Sequence, residues 1–387
     1  MKRICVIFFG MILLAGCWED PQSLSRLSDR YVTLDGSIRV HYKIANRSKD
    51  PDVKTVCFVH GFGCDMNTWE KQYAALRHEE GVQSVFIDLP GYGLSDKPHV
   101  DYTMELFSAA VDKVLTENRI ESALFVGHSL GTAVCRYTLL TTSHHGTLVD
   151  VDGVYCFYDG SETPAYVNEV NAFGHAFDGE DYEEVVRGFV ASLSGKDTPQ
   201  EITDYAMSVM PRTPQYVASS TMQNLVDPRW WSQRQITQPV WVICTRNSGL
   251  EPDNKERMLR LYPHAEYTEL TTCGHFIHME KPEIFNEKLK SLIHFIDPKN
   301  EFTFCQSCGM PLQQEILGSN ADGSGNLDYC KFCYKNGEFT VDCTMDEMIE
   351  FCAQFVDVVN ETLPKPLTRE EYIAQMKTYF PKLKRWK

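Results

Sequence analysis

Ser129 is the side chain best placed by its neighbours to do covalent chemistry. It stands in Gly127-His128-Ser129-Leu130-Gly131, after the apolar run Ala123-Leu124-Phe125-Val126 and before Thr132-Ala133-Val134-Cys135. Strand, tight turn and helix in that order lift a serine hydroxyl to the apex of a strained turn, and the flanking glycines let strand and helix approach closely. The first N–H groups of the helix then lie beside the serine oxygen, where negative charge develops in acyl transfer. Such a serine needs a general base to take its proton. A second set of residues has different chemistry. Cys305-Gln306-Ser307-Cys308 and Cys330-Lys331-Phe332-Cys333 are two C-x-x-C pairs separated by 21 residues. This spacing suits a tetrahedral four-thiolate zinc site.

The elements that position these groups follow from the hydrophobic pattern. Residues 31–34 and 37–42 flank Asp35-Gly36 and read as a hairpin. Residues 55–59 and 82–87 are continuous apolar strands; the first ends in His60-Gly61-Phe62-Gly63, the second in Asp88-Leu89-Pro90-Gly91-Tyr92-Gly93-Leu94-Ser95. Helical stretches follow each, one with Trp69, Tyr73 and Leu76, the other over residues 103–118. Residues 151–158 read as a sixth strand, 239–244 as a seventh and 267–270 as an eighth, with a last helix over 282–295. Buried strands alternating with helices predict a mostly parallel sheet covered on both faces. Residues 161–238 lack strand character and are broken at Pro199, Pro211, Pro214 and Pro228, as a set of short helices would be.

In this order the motifs at 60–63, 88–95, 127–131 and 274–276 resemble the α/β-hydrolase fold family over about residues 31–296. The resemblance implies a serine hydrolase with a helical cap at about 161–238. It implies Ser129 as nucleophile, His275 as base, and the N–H groups of Phe62 and Leu130 as the oxyanion hole. A serine here, rather than an aspartate, separates the chain from the epoxide hydrolases and haloalkane dehalogenases of that family. The family's usual acid site, in a loop after the seventh strand, is filled by Ser248, which holds no charge. Asp159, at the end of the sixth strand, is the expected third member, with Glu251 and Asp253 as local alternatives. Of the cap residues, Phe173, Phe177, Tyr182, Phe189, Met207, Met210, Trp230 and Trp231 are expected mostly to hold the cap on the core, and the remainder to line an apolar pocket. The expected substrate is a small or medium apolar carboxylic ester. A ligand-binding or sensor protein built on the same fold stays open as the alternative.

The ends carry separate signals. Met1-Lys2-Arg3, an apolar stretch and Leu14-Ala15-Gly16-Cys17 resemble the signal and lipobox of bacterial lipoproteins. That resemblance implies cleavage before Cys17, lipid on its sulfur and amine, a tether over 18–30, and a lipid-anchored place in the bacterial cell envelope. An unused signal would leave the chain cytoplasmic. Beyond the hydrolase-like region, 31–298, residues 299–387 resemble a zinc-ribbon domain of bacterial proteins, followed by helices over 345–360 and 369–380. The expected metal is one structural zinc on Cys305, Cys308, Cys330 and Cys333, with two disulfides as the alternative in an oxidising compartment. The ribbon leaves room for a protein partner. A net charge of −16 over 387 residues excludes general nucleic-acid binding. The basic end Lys382-Leu383-Lys384-Arg385-Trp386-Lys387 is expected to be solvated.

Overall fold

The computed structural model describes residues 23–50, 53–155, 162–231, 234–236, 240–246, 254–262, 265–295, 304–310, 312, 316–321, 325–360 and 366–387. Cys17, Asp159, Ser248, Glu251 and Asp253 lie outside them.

The sheet strands are β1 (Arg30–Leu34), β2 (Ile38–Ala45), β3 (Lys54–Val59), β4 (Val82–Ile87), β5 (Ser122–His128), β6 (His145–Val151), β7 (Val240–Thr245) and β8 (Ala265–Leu270). Their spatial order is β1-β2-β4-β3-β5-β6-β7-β8. β1 and β2 pair antiparallel through a turn in which Asp35 and Gly36 both take positive φ, and β2 is antiparallel to β4. All the other pairs are parallel. The helices among these strands are α1 (Glu70–Leu76), α2 (Met104–Glu117) and α3 (Leu130–Thr141).

Successive strand residues point to opposite faces, and both faces are buried. Cys57, Val59 and Phe125 pack with Phe107 and Val111 of α2 and Val134 of α3. Val56, Phe58, Leu124 and Val126 pack on the opposite side with Tyr73 and Leu76 of α1. That second core is completed by Phe285, Leu289 and Ile293 from the last helix of the region. Two buried faces explain the near-continuous apolar runs in the sequence.

The insertion after β6 is helical, as expected: α4 (Pro164–Gly174), α5 (Tyr182–Leu193), α6 (Gln200–Val209) and α7 (Gln215–Leu225). Its prolines start helices rather than break them. Pro164 lies in the first turn of α4, while Pro199 and Pro214 precede α6 and α7. Proline fits there because the first helical N–H groups have no intrahelical acceptor. Phe177, Met210 and Trp231 are buried in the α2–α3 core, so these three hold the cap down. Phe173 stays exposed. The chain then runs through β7, α8 (Asn254–Leu261), β8, α9 (Ile277–Glu280) and α10 (Pro282–Phe295).

The sixth strand departs from its expected place. It spans His145–Val151, not 151–158. The strand starts on His145-Gly146-Thr147 and carries Asp150 inside it, so its sequence lacks the apolar run of its neighbours.

The C-terminal region is separate in chemistry. β9 (Leu317–Ser319) pairs with β10 (Gly325–Cys330), and β11 (Tyr334–Lys335) with β12 (Glu338–Phe339). Then come α11 (Met345–Cys352), α12 (Val356–Asn360) and α13 (Arg369–Tyr379). Capping boxes Thr344/Glu347 and Thr368/Glu371 start α11 and α13. Leu312, Met348, Ile349, Met376, Phe380 and Leu383 bury against the cysteines.

At the basic end Lys382, Lys384 and Lys387 are exposed, as expected, while Arg385 and Trp386 are anchored. Arg385 N donates to Gln306 O at 3.0 Å, its guanidinium to Ser307 Oγ at 2.9 Å, and Trp386 Nε1 to Ser307 O at 2.7 Å. The guanidinium also covers the Phe339 ring at 4.2 Å.

Candidate active site

Ser129 follows β5 directly and precedes the first residue of α3, with φ 54° and ψ −120°. Such a conformation costs a non-glycine residue about 1–3 kcal/mol and persists only where surroundings impose it. Here backbone imposes it. A Cβ on Gly131 would lie 2.2 Å from Val59 O, and one on Gly127 2.5 Å from Gly131 O. Ser129 N donates to Val151 O at 3.0 Å, which ties the turn to β6.

The turn after β3 reaches the same point. A Cβ on Gly61 would lie 3.1 Å from Ser129 Cβ. Phe62 follows, its ring 5.1 Å from that of Phe177, 5.9 Å from Phe189 and 6.4 Å from Tyr92. The next turn is held by Asp88, whose carboxylate accepts from Met66 N at 2.8 Å, Leu94 N at 2.9 Å and His41 Nδ1 at 2.7 Å. Burial alone would raise its pKa. The His41 bond, the nearby His60 and the Leu94 N–H outweigh that and keep it below the ordinary carboxylate value. His60 braces the same turns: Nδ1 donates to Gly61 O at 2.8 Å and Nε2 accepts from Leu89 N at 3.1 Å.

His275 Nδ1 bonds Asp152 Oδ2 at 2.6 Å, and Asp152 Oδ1 accepts from Thr245 N at 2.9 Å. The Asp152 side chain is 1% exposed, that of His275 11%. Asp152 directly follows β6, at φ 47°. Among the described residues the partner of His275 is therefore Asp152, where Asp159 was expected; Asp159, Glu251 and Asp253 lie outside them. The physical reason is the strand boundary. An acid just beyond the sixth strand was the right topological expectation, and the strand ends seven residues earlier than its apolar pattern implied. The signal that could have found it is Asp152-Gly153 after the Val149-Asp150-Val151 alternation.

The loop that carries His275 is clamped by the cap. His275 N donates to Leu193 O at 2.9 Å, and Glu280 Oε2 accepts from both Gly274 N and Thr198 Oγ1 at 2.8 Å. Ser129, Asp152 and His275 thus stand beyond the C-terminal ends of β5, β6 and β8, the edge where open parallel sheets place their ligands.

The alpha/beta hydrolase family profile matches residues 58–288. The chain belongs to the alpha/beta hydrolase family. A second profile, described as "Putative zinc ribbon domain", matches residues 304–387. The hydrolase chain is similar to the 1-acylglycerol-3-phosphate O-acyltransferase ABHD5 of Rattus norvegicus, 23% identical over 273 residues, covering 62% of this chain and 77% of that protein. Among solved structures it resembles an esterase from Exiguobacterium antarcticum (TM-score 0.60, 18% identity, 69% of this chain and 100% of that one). It also resembles an epoxide hydrolase from Vigna radiata (TM-score 0.57, 18% identity, 71% and 100%).

The hydrolase chain's C-terminal cysteines converge as their spacing predicts. The sulfurs of Cys305, Cys308, Cys330 and Cys333 all lie within 4.8 Å of one another, with Cys308 Sγ 3.9 Å from Cys330 Sγ. A tetrahedral zinc with Zn–S bonds of about 2.3 Å separates its sulfurs by about 3.8 Å. Four thiolates this close repel one another unless a cation sits among them, so the donor set fits one ion with no open position. Cys352 packs against this cluster as a buried thiol.

Two buried histidines, His128 and His278, lie behind His275. The His278 ring lies 4.6 Å from His128 and 4.2 Å from Trp69. Burial, then the charges of His275 and Lys71, pushes its pKa down to about 3. An unfolded histidine titrates near 6.5. Between these values the unfolded chain binds a proton that the folded chain refuses, so this contribution to stability is whole above 6.5 and shrinks as pH falls. The slope approaches about 1.4 kcal/mol per pH unit. His278→Phe should remove it. The stability of wild type minus that of His278→Phe, from urea unfolding, should therefore fall by about 2–3 kcal/mol from pH 7.5 to 4.5. Asp150, pushed up to about 7 mainly by burial, has the opposite sign but is common to both proteins. A difference independent of pH would disprove a neutral buried His278.

Proposed function

We propose that the chain hydrolyses carboxylic esters through an acyl-enzyme on Ser129. The observation that carries the proposal is the 2.6 Å bond from His275 Nδ1 to the buried Asp152, on the sheet edge that also presents Ser129. With Nδ1–H donated to Asp152, Nε2 of His275 is the free basic nitrogen. Ser129 Oγ attacks the ester carbonyl carbon while His275 takes its proton. The oxyanion accepts from the N–H groups of Phe62 and Leu130. His275 then returns the proton to the leaving alcohol, and Asp152 orients the ring and stabilises the imidazolium. Water attacks the acyl carbon in the second half, with His275 again as base.

The rings of Phe62 and the half-buried Phe189, beside the oxyanion turn, support a small or medium apolar acyl or alcohol group. The acyltransferase name of the rat relative is compatible with the same intermediate, resolved by an acceptor other than water. Ser129→Ala should abolish both hydrolysis of p-nitrophenyl esters and labelling by a fluorophosphonate, with an unchanged circular dichroism spectrum. Asp152→Asn should lower kcat by about 10⁴, and Asp159→Asn by far less. Residual activity near wild type in Ser129→Ala would rule out this nucleophile.

We propose further that Cys305, Cys308, Cys330 and Cys333 hold one structural zinc. A module of this size has a small core, and metal binding would supply much of its folding free energy. Chelation should raise hydrogen exchange throughout residues 304–387 and leave ester hydrolysis intact. An intact mass four hydrogens short, with no zinc, would show disulfides instead.

The Leu14-Ala15-Gly16-Cys17 sequence supports a lipid anchor at Cys17 and a place in the bacterial cell envelope. Cys17→Ser should then accumulate as uncleaved precursor. A wild-type chain whose size is unchanged by globomycin would refute the anchor.

A further inference from the structure

We propose that His128 is a positioning residue, whose ring hydrogen bond holds the base in register with the nucleophile. The inference rests on Ser129 and His275 being that pair. His128 Nε2 lies 3.0 Å from the backbone carbonyl oxygen of His275. A carbonyl only accepts, so Nε2 carries the proton and Nδ1 is bare. Nδ1 has no hydrogen-bond partner among the described residues and faces the turn after β3, where a Cβ on Gly61 would come within 2.9 Å of it.

One buried imidazole therefore touches all three parts of the site. It is covalently next to Ser129. It packs against Gly61, the residue before Phe62. It bonds the main chain of His275, and its ring lies 4.6 Å from the His275 ring. Its far side is closed by His278 at 4.6 Å and Phe276 at 5.3 Å. The Asp152 bond fixes one end of the His275 side chain. The His128 bond fixes the main chain from which that side chain springs. Burial and the neighbouring histidines keep His128 neutral, so the donor does not change with pH across the working range of a histidine base.

This role separates from packing by the choice of variant. His128→Gln keeps an N–H close to the Nε2 position, and His128→Leu keeps bulk without a donor. A reacting group displaced by about 1 Å can lose about 10²-fold in rate. His128→Leu should therefore lower kcat by about 10- to 100-fold, with KM within about twofold of wild type. His128→Gln should stay within about threefold in both.

A second readout needs no substrate. The downfield proton resonance of His275 Nδ1–H, held by Asp152, should persist in wild type and His128→Gln and broaden or vanish in His128→Leu. Equal kcat losses in the two variants would reduce His128 to a packing residue and overturn the proposal. So would a His128→Leu protein that keeps both kcat and the resonance. If Ser129→Ala proves as active as wild type, the nucleophile assignment fails, and the resonance alone decides the role of His128.

Discussion

Everything at the site depends on a contact between backbones. β3, β5 and the start of α3 meet where Gly127 and Gly131 leave no space for a side-chain carbon; the Cβ of an alanine at 131 would overlap the Val59 carbonyl oxygen, 2.2 Å away. Because the helix starts this close to the strands, the one residue left to make the turn is forced to positive φ, and that residue is Ser129. The same closeness brings the Gly61 turn against Ser129. It also points the first N–H groups of α3 to the side where an oxyanion would form. The strain at Ser129 is small beside the burial of the two sheet faces, so the fold holds the serine rather than the reverse.

The sheet supplies the second constraint. Parallel strands end on one edge, so residues far apart in sequence arrive together: Ser129 after β5, Asp152 after β6, His275 beyond β8. Register sets the first two. His128 pairs with Val151, and the next residue on each strand is the serine or the aspartate. This explains why Asp152 recruits a backbone N–H from β7 as well as the imidazole. Its carboxylate is buried, and a buried carboxylate needs hydrogen bonds on both oxygens to stay charged.

What the sequence disclosed, and what it hid, follows from these constraints. The glycine motifs were legible because a backbone contact that excludes Cβ can be met by one residue type alone. The cysteine pairs were legible because four ligands to one ion need fixed spacing. The acid was not legible, because β6 carries Asp150 within a buried strand and thereby loses the apolar run that marks its neighbours. Asp150 is tolerated there through bonds to Tyr155 and Gly153, contacts between residues close in sequence but with no local signature. The anchoring of two residues of the basic end was hidden for a related reason. Arg385 and Trp386 bond Ser307 across 78 and 79 residues, and no local pattern announces a partner at that distance. A run of cations looks solvated until the carbonyls and ring that accept them are known.

The bed beneath the base is polar, and that has a cost. Trp69 Nε1, Gln72 Oε1, both ring nitrogens of His278 and Glu280 Oε1 are buried without a hydrogen-bond partner among the described residues. Each such group typically costs about 1–3 kcal/mol relative to a satisfied one. An all-apolar bed of the same shape would be more stable. It would also lack the donor at His128 and the Glu280 carboxylate that joins Gly274 to the cap through Thr198. Burial makes both bonds count for more, since in a low-dielectric interior a hydrogen bond gains strength and a misplaced partner finds no substitute. The local stability given up around residues 274–280 is thus the counterpart of a histidine loop fixed from two sides. One side is the strand that carries the nucleophile, and the other is the cap that closes over it.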